Sequence, residues 1–132
     1  MAARIRTDLP RVTIAGNPNS GKTSIFNRLT GLNQSVANYP GVTVEFKVGS
    51  AKWRGRAFDL VDLPGTYSLT AFSQDEVVAR NCLIEENPDV VLNVVDASNL
   101  ERNLYLTVQL MEMRVPLVIA LNMADLAEKI ES

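Results

Sequence analysis

With 132 residues, 46% of them hydrophobic, the chain is long enough for one ordinary core and too short for two. A net charge of -2 without a long basic run argues against a nucleic-acid surface, and the lone Cys82 excludes an internal disulfide and fits a reducing compartment. The lack of histidine removes imidazole base chemistry and leaves little for a transition metal; no apolar run approaches the roughly 18 residues of a membrane span, and the start has no signal-peptide core, so a cytosolic piece is expected.

Residues 1–10 read as a flexible arm and 11–132 as one domain, with order beginning near Arg11. Val12 to Ala15 is an apolar strand. The run Gly16-Asn17-Pro18-Asn19-Ser20-Gly21-Lys22-Thr23 then satisfies GxxxxGK[ST] between a strand and a helix, the context in which that motif binds a nucleoside triphosphate. Its glycines let backbone N–H groups turn toward phosphates and the helix start presents partial positive charge. Lys22 adds a point charge, and Thr23 is placed to ligate Mg²⁺. In the helix, Ile25, Phe26, Leu29 and Leu32 recur at helical spacing and Gly31 marks the stop.

Asn33 to Thr43, rich in Asn, Gly and Pro, reads as a mobile loop. Thr43 within it is either the first residue of a strand or a group that folds over a nucleotide to complete a Mg²⁺ shell. Val42 to Trp53 and Arg56 to Val61 flank Arg54-Gly55 as a hairpin. Asp62-Leu63-Pro64-Gly65 follows at the carboxyl end of the second arm. On its own DxPG is an ordinary turn; beside a phosphate loop, Asp62 suits a Mg²⁺-bound water and the Gly65 N–H suits a γ-phosphate.

Ser73 to Glu76 and Ser98 to Glu101 each fit the S/T-x-x-E capping box and predict two helix starts. Asp89 to Val95 and Val115 to Leu121 are β-branched runs expected as buried parallel strands. In the helix from Asn99 to Met113, Leu100, Leu104, Val108 and Met111 form a stripe flanked by Leu106, Leu110 and Met113, which predicts the face laid on the sheet. Asn122-Met123-Ala124-Asp125 closes the last strand. One carboxylate accepts both guanine donors, a pattern adenine lacks, so Asp125 is the candidate base reader with Asn122 bracing the loop; the alternative is that both cap a short helix over 126–130. The alternation predicts an α/β fold, a mostly parallel sheet with one antiparallel hairpin strand and helices on both faces.

The ordered set GNPNSGKT, Thr43, DLPG and NMAD resembles the G domain of translation-factor-like P-loop GTPases. More narrowly, NYPGVTVE, DLPGTYSL and PDVVLNVVDASNLERNLYLTVQL resemble the N-terminal cytosolic domain of the FeoB ferrous iron transporters, from about Arg11 to Asp125. The resemblance implies a Ras-like fold that binds GTP and GDP with Mg²⁺ and hydrolyses GTP to regulate iron passage through a following membrane region, on the cytoplasmic face of the bacterial inner membrane. It implies that Asn17, Pro18, Asn19, Ser20, Gly21, Lys22, Thr23 and Ser24 hold phosphate. Gly41, Val42 and Thr43 would then belong to switch I, Asp62, Leu63, Pro64 and Gly65 to switch II, and Asn122, Met123 and Asp125 to the guanine site. Asn19 would help hold K⁺, and Asn19, Lys22, Thr43 and Gly65 would serve hydrolysis.

In Ras-like enzymes a glutamine after DxxG orients water; Thr66 stands here, which predicts slow, K⁺-stimulated turnover. Met123 replaces the usual basic residue of the guanine motif. The family's last strand, its final guanine loop and its last helix are expected beyond Ser132, leaving a sheet edge open to self-association. Rival readings are a nucleotide-binding module without turnover, a ribosome-assembly GTPase, and an ATPase on the same phosphate loop.

Overall fold

The computed structural model describes residues 9–31 and 33–123. Strands β1 (Arg11–Gly16), β2 (Gln34–Asn38), β3 (Glu45–Trp53), β4 (Arg56–Asp62), β5 (Val90–Asp96) and β6 (Leu117–Asn122) alternate with helices α1 (Lys22–Thr30), α2 (Gln74–Glu85) and α3 (Leu100–Glu112). The sheet order is β2-β3-β4-β1-β5-β6. β1 pairs in parallel with β4 and β5, and β5 with β6, while β3 runs antiparallel to both neighbours. This is the predicted α/β sheet with one reversed strand. The parallel core brings the ends of β1, β4, β5 and β6 to one rim, where ligands of open α/β sheets bind.

Strand periodicity sorts the core onto two faces. Ala15, Val61 and Val91 point toward α2 and α3, meeting Val78, Cys82, Leu83, Leu106 and Leu110. Ile14, Leu60 and Val94 point the other way and meet Phe26 of α1. Leu29, expected to join them, is exposed. The hairpin turns at Arg54-Gly55 as predicted, although its first arm begins at Glu45.

Four further expectations are corrected. The run 115–121, expected as a buried strand, forms β6 at the edge of the described sheet, with Val118, Ile119 and Leu121 about half exposed. The supposed loop over 33–43 contains β2, which pairs with β3 from Gln34 against Gly49 to Asn38 against Glu45; as an edge strand with only Ala37 buried, it needs no apolar alternation. Ser73 caps α2 through the full capping box, but Ser98 does not cap α3. Asp96 takes that work, accepting hydrogen bonds from the Ser98 N–H at 2.9 Å and from the Ser98 hydroxyl, and it closes a 3₁₀ turn ahead of the helix. Finally, α3 is rotated from the expected stripe. Asn103, Leu106, Thr107 and Leu110 are buried, whereas Leu100, Leu104, Val108 and Met111 are exposed. Two polar side chains hold that rotation: Thr107 donates to Asn93 Oδ1, and the Asp96 N–H donates to Asn103 Oδ1 at 3.0 Å. Leu32 and the segment 126–130 lie outside the described residues.

Candidate functional site

β1 delivers Gly16 to the rim, and the chain turns through 17–21 into α1, so the first N–H groups of that helix face a cleft of about 420 Å³. Asn17, Pro18, Asn19, Gly21, Lys22 and Thr23 line one side; Ser24, Gly65 and Asp75 complete it. Gly21 has φ +92°, and a Cβ there would lie 2.1 Å from Asn122 Nδ2, so only glycine fits. Asn19 also holds a left-handed backbone, at φ +66°. Ser20 is fully buried behind the loop, and Asn122 Nδ2 donates to its carbonyl at 3.0 Å, tying the end of β6 to the phosphate loop.

β4 runs beside β1 and ends on Asp62, opposite Ile14. The buried Lys22 ammonium meets Asp62 Oδ1 at 2.7 Å, and the Thr23 hydroxyl donates to Asp62 Oδ2 at 3.4 Å. Lysine and hydroxyl, 40 and 39 residues from the carboxylate in sequence, thus converge with it on one point. Gly65 lies against the phosphate loop: a Cβ on it would come within 3.0 Å of Pro18 N and Cα. The Leu63 and Thr66 N–H groups donate to Ile14 and Gly16 carbonyls at 3.1 Å each, fixing Leu63, Pro64 and Gly65 against β1.

Gly41, Val42 and Thr43 are not brought to the cleft; Thr43 is exposed. Their segment is held instead on α2. Tyr39 Oη donates to Glu85 Oε1 at 2.6 Å, the Tyr39 N–H donates to the Val44 carbonyl at 3.2 Å, and Tyr39 and Val42 pack on the core. Burial, aided by the Glu85 carboxylate, pushes the Tyr39 phenol up to about 12. Met123 has φ +59° and reaches toward Gly21; Asp125 lies outside the described residues.

Asp75 escaped sequence reasoning, because its approach to the phosphate loop depends on the fold-back of 63–73; its place in the first turn of α2 was the only clue. The buried Asn17 carboxamide makes no hydrogen bond among the described residues. Thr23 and Asp62 offer hard oxygens, and no cluster of three or more His, Cys, Asp or Glu is present among the described residues. That donor set fits Mg²⁺, which takes few protein ligands beside substrate phosphates, and the lysine and helix start fit the phosphates themselves.

A family model described as ferrous iron transport protein B matches residues 10–132. The chain belongs to that family. It is 58% identical over 120 residues to an Fe(2+) transport protein A/Fe(2+) transporter FeoB fusion protein of Porphyromonas gingivalis, covering 90% of this chain and 14% of that protein. The Escherichia coli K12 Fe(2+) transporter FeoB is 54% identical over 122 residues, 89% of this chain and 16% of its own length. The chain therefore spans about one-sixth or less of the curated relatives it matches. Among solved structures, an S. thermophilus NFeoB variant bound to GDP superposes with a TM-score of 0.87 at 51% identity, over 94% of this chain and 48% of that one. With the sheet and phosphate loop described above, this is a FeoB N-terminal G domain of the P-loop GTPase fold.

Proposed function

We propose that this FeoB domain binds GTP and GDP with Mg²⁺, hydrolyses GTP slowly, and regulates ferrous iron passage through the membrane region of a longer transporter on the cytoplasmic side of the inner membrane. In this reading the G domain spans residues 11–132. The observation that carries this reading is the convergence of Lys22, Thr23 and Asp62 beside a cleft also lined by Gly65. The GDP in the related S. thermophilus structure supports guanine as the base.

In this reading the loop 17–24 wraps the phosphates with the backbone N–H groups that follow Pro18, which itself has none, and Lys22 leaves Asp62 for the β- and γ-phosphates. Thr23, Thr43 and, through water, Asp62 hold Mg²⁺, which supplies charge neutralisation on the phosphates. Gly65 meets the γ-phosphate, and Asn122, Met123 and Asp125 form the guanine site. Thr43 must travel, because its segment is pinned to α2 by Tyr39. Thr66 offers no carboxamide to orient water, so Asn19, lining the cleft with its left-handed backbone, is assigned to a K⁺ whose charge would stabilise the transferring phosphate.

Asp125→Asn tests the base assignment: guanine affinity should fall at least about tenfold while ADP binding stays negligible, because a carboxylate accepting two donors is lost. Unchanged preference would favour the ATPase reading. Turnover measured in K⁺ and in Na⁺ tests the cation, with a faster rate expected in K⁺. Equal rates would remove Asn19 from that role, and no turnover in either would leave a binding module.

A further inference from the structure

Between Gly65 and α2 the chain is held by side chains. The Thr66 N–H donates to Gly16, and among the described residues the next backbone–backbone bond is Val77 to Ser73. From α2, Glu76 Oε1 accepts the Phe72 and Ser73 N–H groups at 2.9 and 3.0 Å, and its other oxygen accepts from the Ser68 hydroxyl. From α3 come two further contacts. Leu69 N–H donates to Gln109 Oε1 at 2.6 Å, and the Arg102 guanidinium stands 4.0 Å from the centre of the Tyr67 ring. Arg102 and Gln109 are about two helical turns apart, so they grip the loop at separate points along α3.

Those contacts lie just downstream of Gly65, which rests on Pro18 at the cleft. We propose that Gln109, seconded by Arg102, is a positioning residue: by clasping 67–69 to α3 it holds the Gly65 N–H where a γ-phosphate arrives, and so sets the preference for a triphosphate over a diphosphate. This rests on the nucleotide reading above. A diphosphate ends short of Gly65, so its binding does not depend on the clasp. When Gln109 Oε1 is removed, the part-buried Leu69 N–H loses its partner and the loop spreads over other conformations. Triphosphate affinity then falls in proportion to the fraction of molecules with Gly65 in place. Linkage makes the effect reciprocal, so a bound triphosphate tightens α3 against the loop.

The test uses the 132-residue chain, Gln109→Ala and Gln109→Glu, titrated calorimetrically with GDP and a non-hydrolysable GTP analogue, together with hydrogen exchange of the Leu69 amide. Gln109→Ala should speed Leu69 exchange and weaken the triphosphate analogue about five- to tenfold, while GDP affinity stays within about twofold. Gln109→Glu keeps an acceptor and should restore both. Equal weakening of the two nucleotides, or no weakening despite a freed Leu69 amide, overturns the proposal. If the unaltered chain binds both nucleotides and its Leu69 amide is unprotected, the clasp alone fails. If that amide is protected and neither nucleotide binds, the nucleotide reading fails and takes the positioning role with it.

Discussion

Asp62 is reached by two side chains from the start of α1, and its burial makes the pair with Lys22 costly to break from one side. Lys22→Ala should abolish nucleotide binding and lower stability by about 3–5 kcal/mol, since it strands a buried carboxylate; retained affinity in a titration would refute the phosphate-loop assignment. Tyr39 gives a second residue-scale test. Its phenol keeps its proton to about 12 in the folded chain, against 10.0 ordinarily, because burial and then Glu85 disfavour the phenolate. The stability it contributes is therefore whole below pH 10 and is lost as pH rises toward 12. Urea midpoints across that window should fall less steeply for Tyr39→Phe. Lys22, Thr23 and Asp62 were legible in the sequence because strand ends fix where their motifs sit. The Tyr39–Glu85 contact and Asp75 were not, since both depend on how loops fold back onto the sheet.

At the scale of elements, periodicity found β1, β5, β6 and the hairpin, and local chemistry found the start of α2. The same reading failed for β2, whose polar edge carries no pattern, and for the buried face of α3. There the apolar stripe misled: Leu106 and Leu110 are the apolar side chains of α3 that reach the core, and Asn103 and Thr107 turn inward beside them, where an unmade hydrogen bond to the Asp96 N–H or Asn93 Oδ1 would be costly. Caps separate the two helix starts experimentally. Ser73→Ala should cost about 1 kcal/mol in equilibrium unfolding, and Asp96→Ala about the same, while Ser98→Ala should cost less than half as much. A Ser98→Ala loss equal to that of Asp96→Ala would restore the capping box the structure does not contain.

Across the whole molecule, the rim that gathers the ends of β1, β4 and β6 follows from parallel pairing, and the site follows from the rim. The opposite consequence of the sheet order is an edge. β6 lies at the end of the described sheet, with Val118, Ile119 and Leu121 about half exposed. Such a surface favours association of the isolated chain. Sedimentation should show a mass rising with concentration, and Leu121→Lys should suppress it; a monomer at every concentration would reject self-association through that edge. Lys22, Thr23 and Asp62 converge beside the cleft that Gly65 also lines, an arrangement suited to a guanine nucleotide, and calorimetric titration with GDP, a non-hydrolysable GTP analogue and ADP, each with Mg²⁺ in potassium buffer, is the decisive measurement. Saturable binding of both guanine nucleotides with none of ADP is the predicted result, and tight binding of ADP, or of no nucleotide at all, would contradict it.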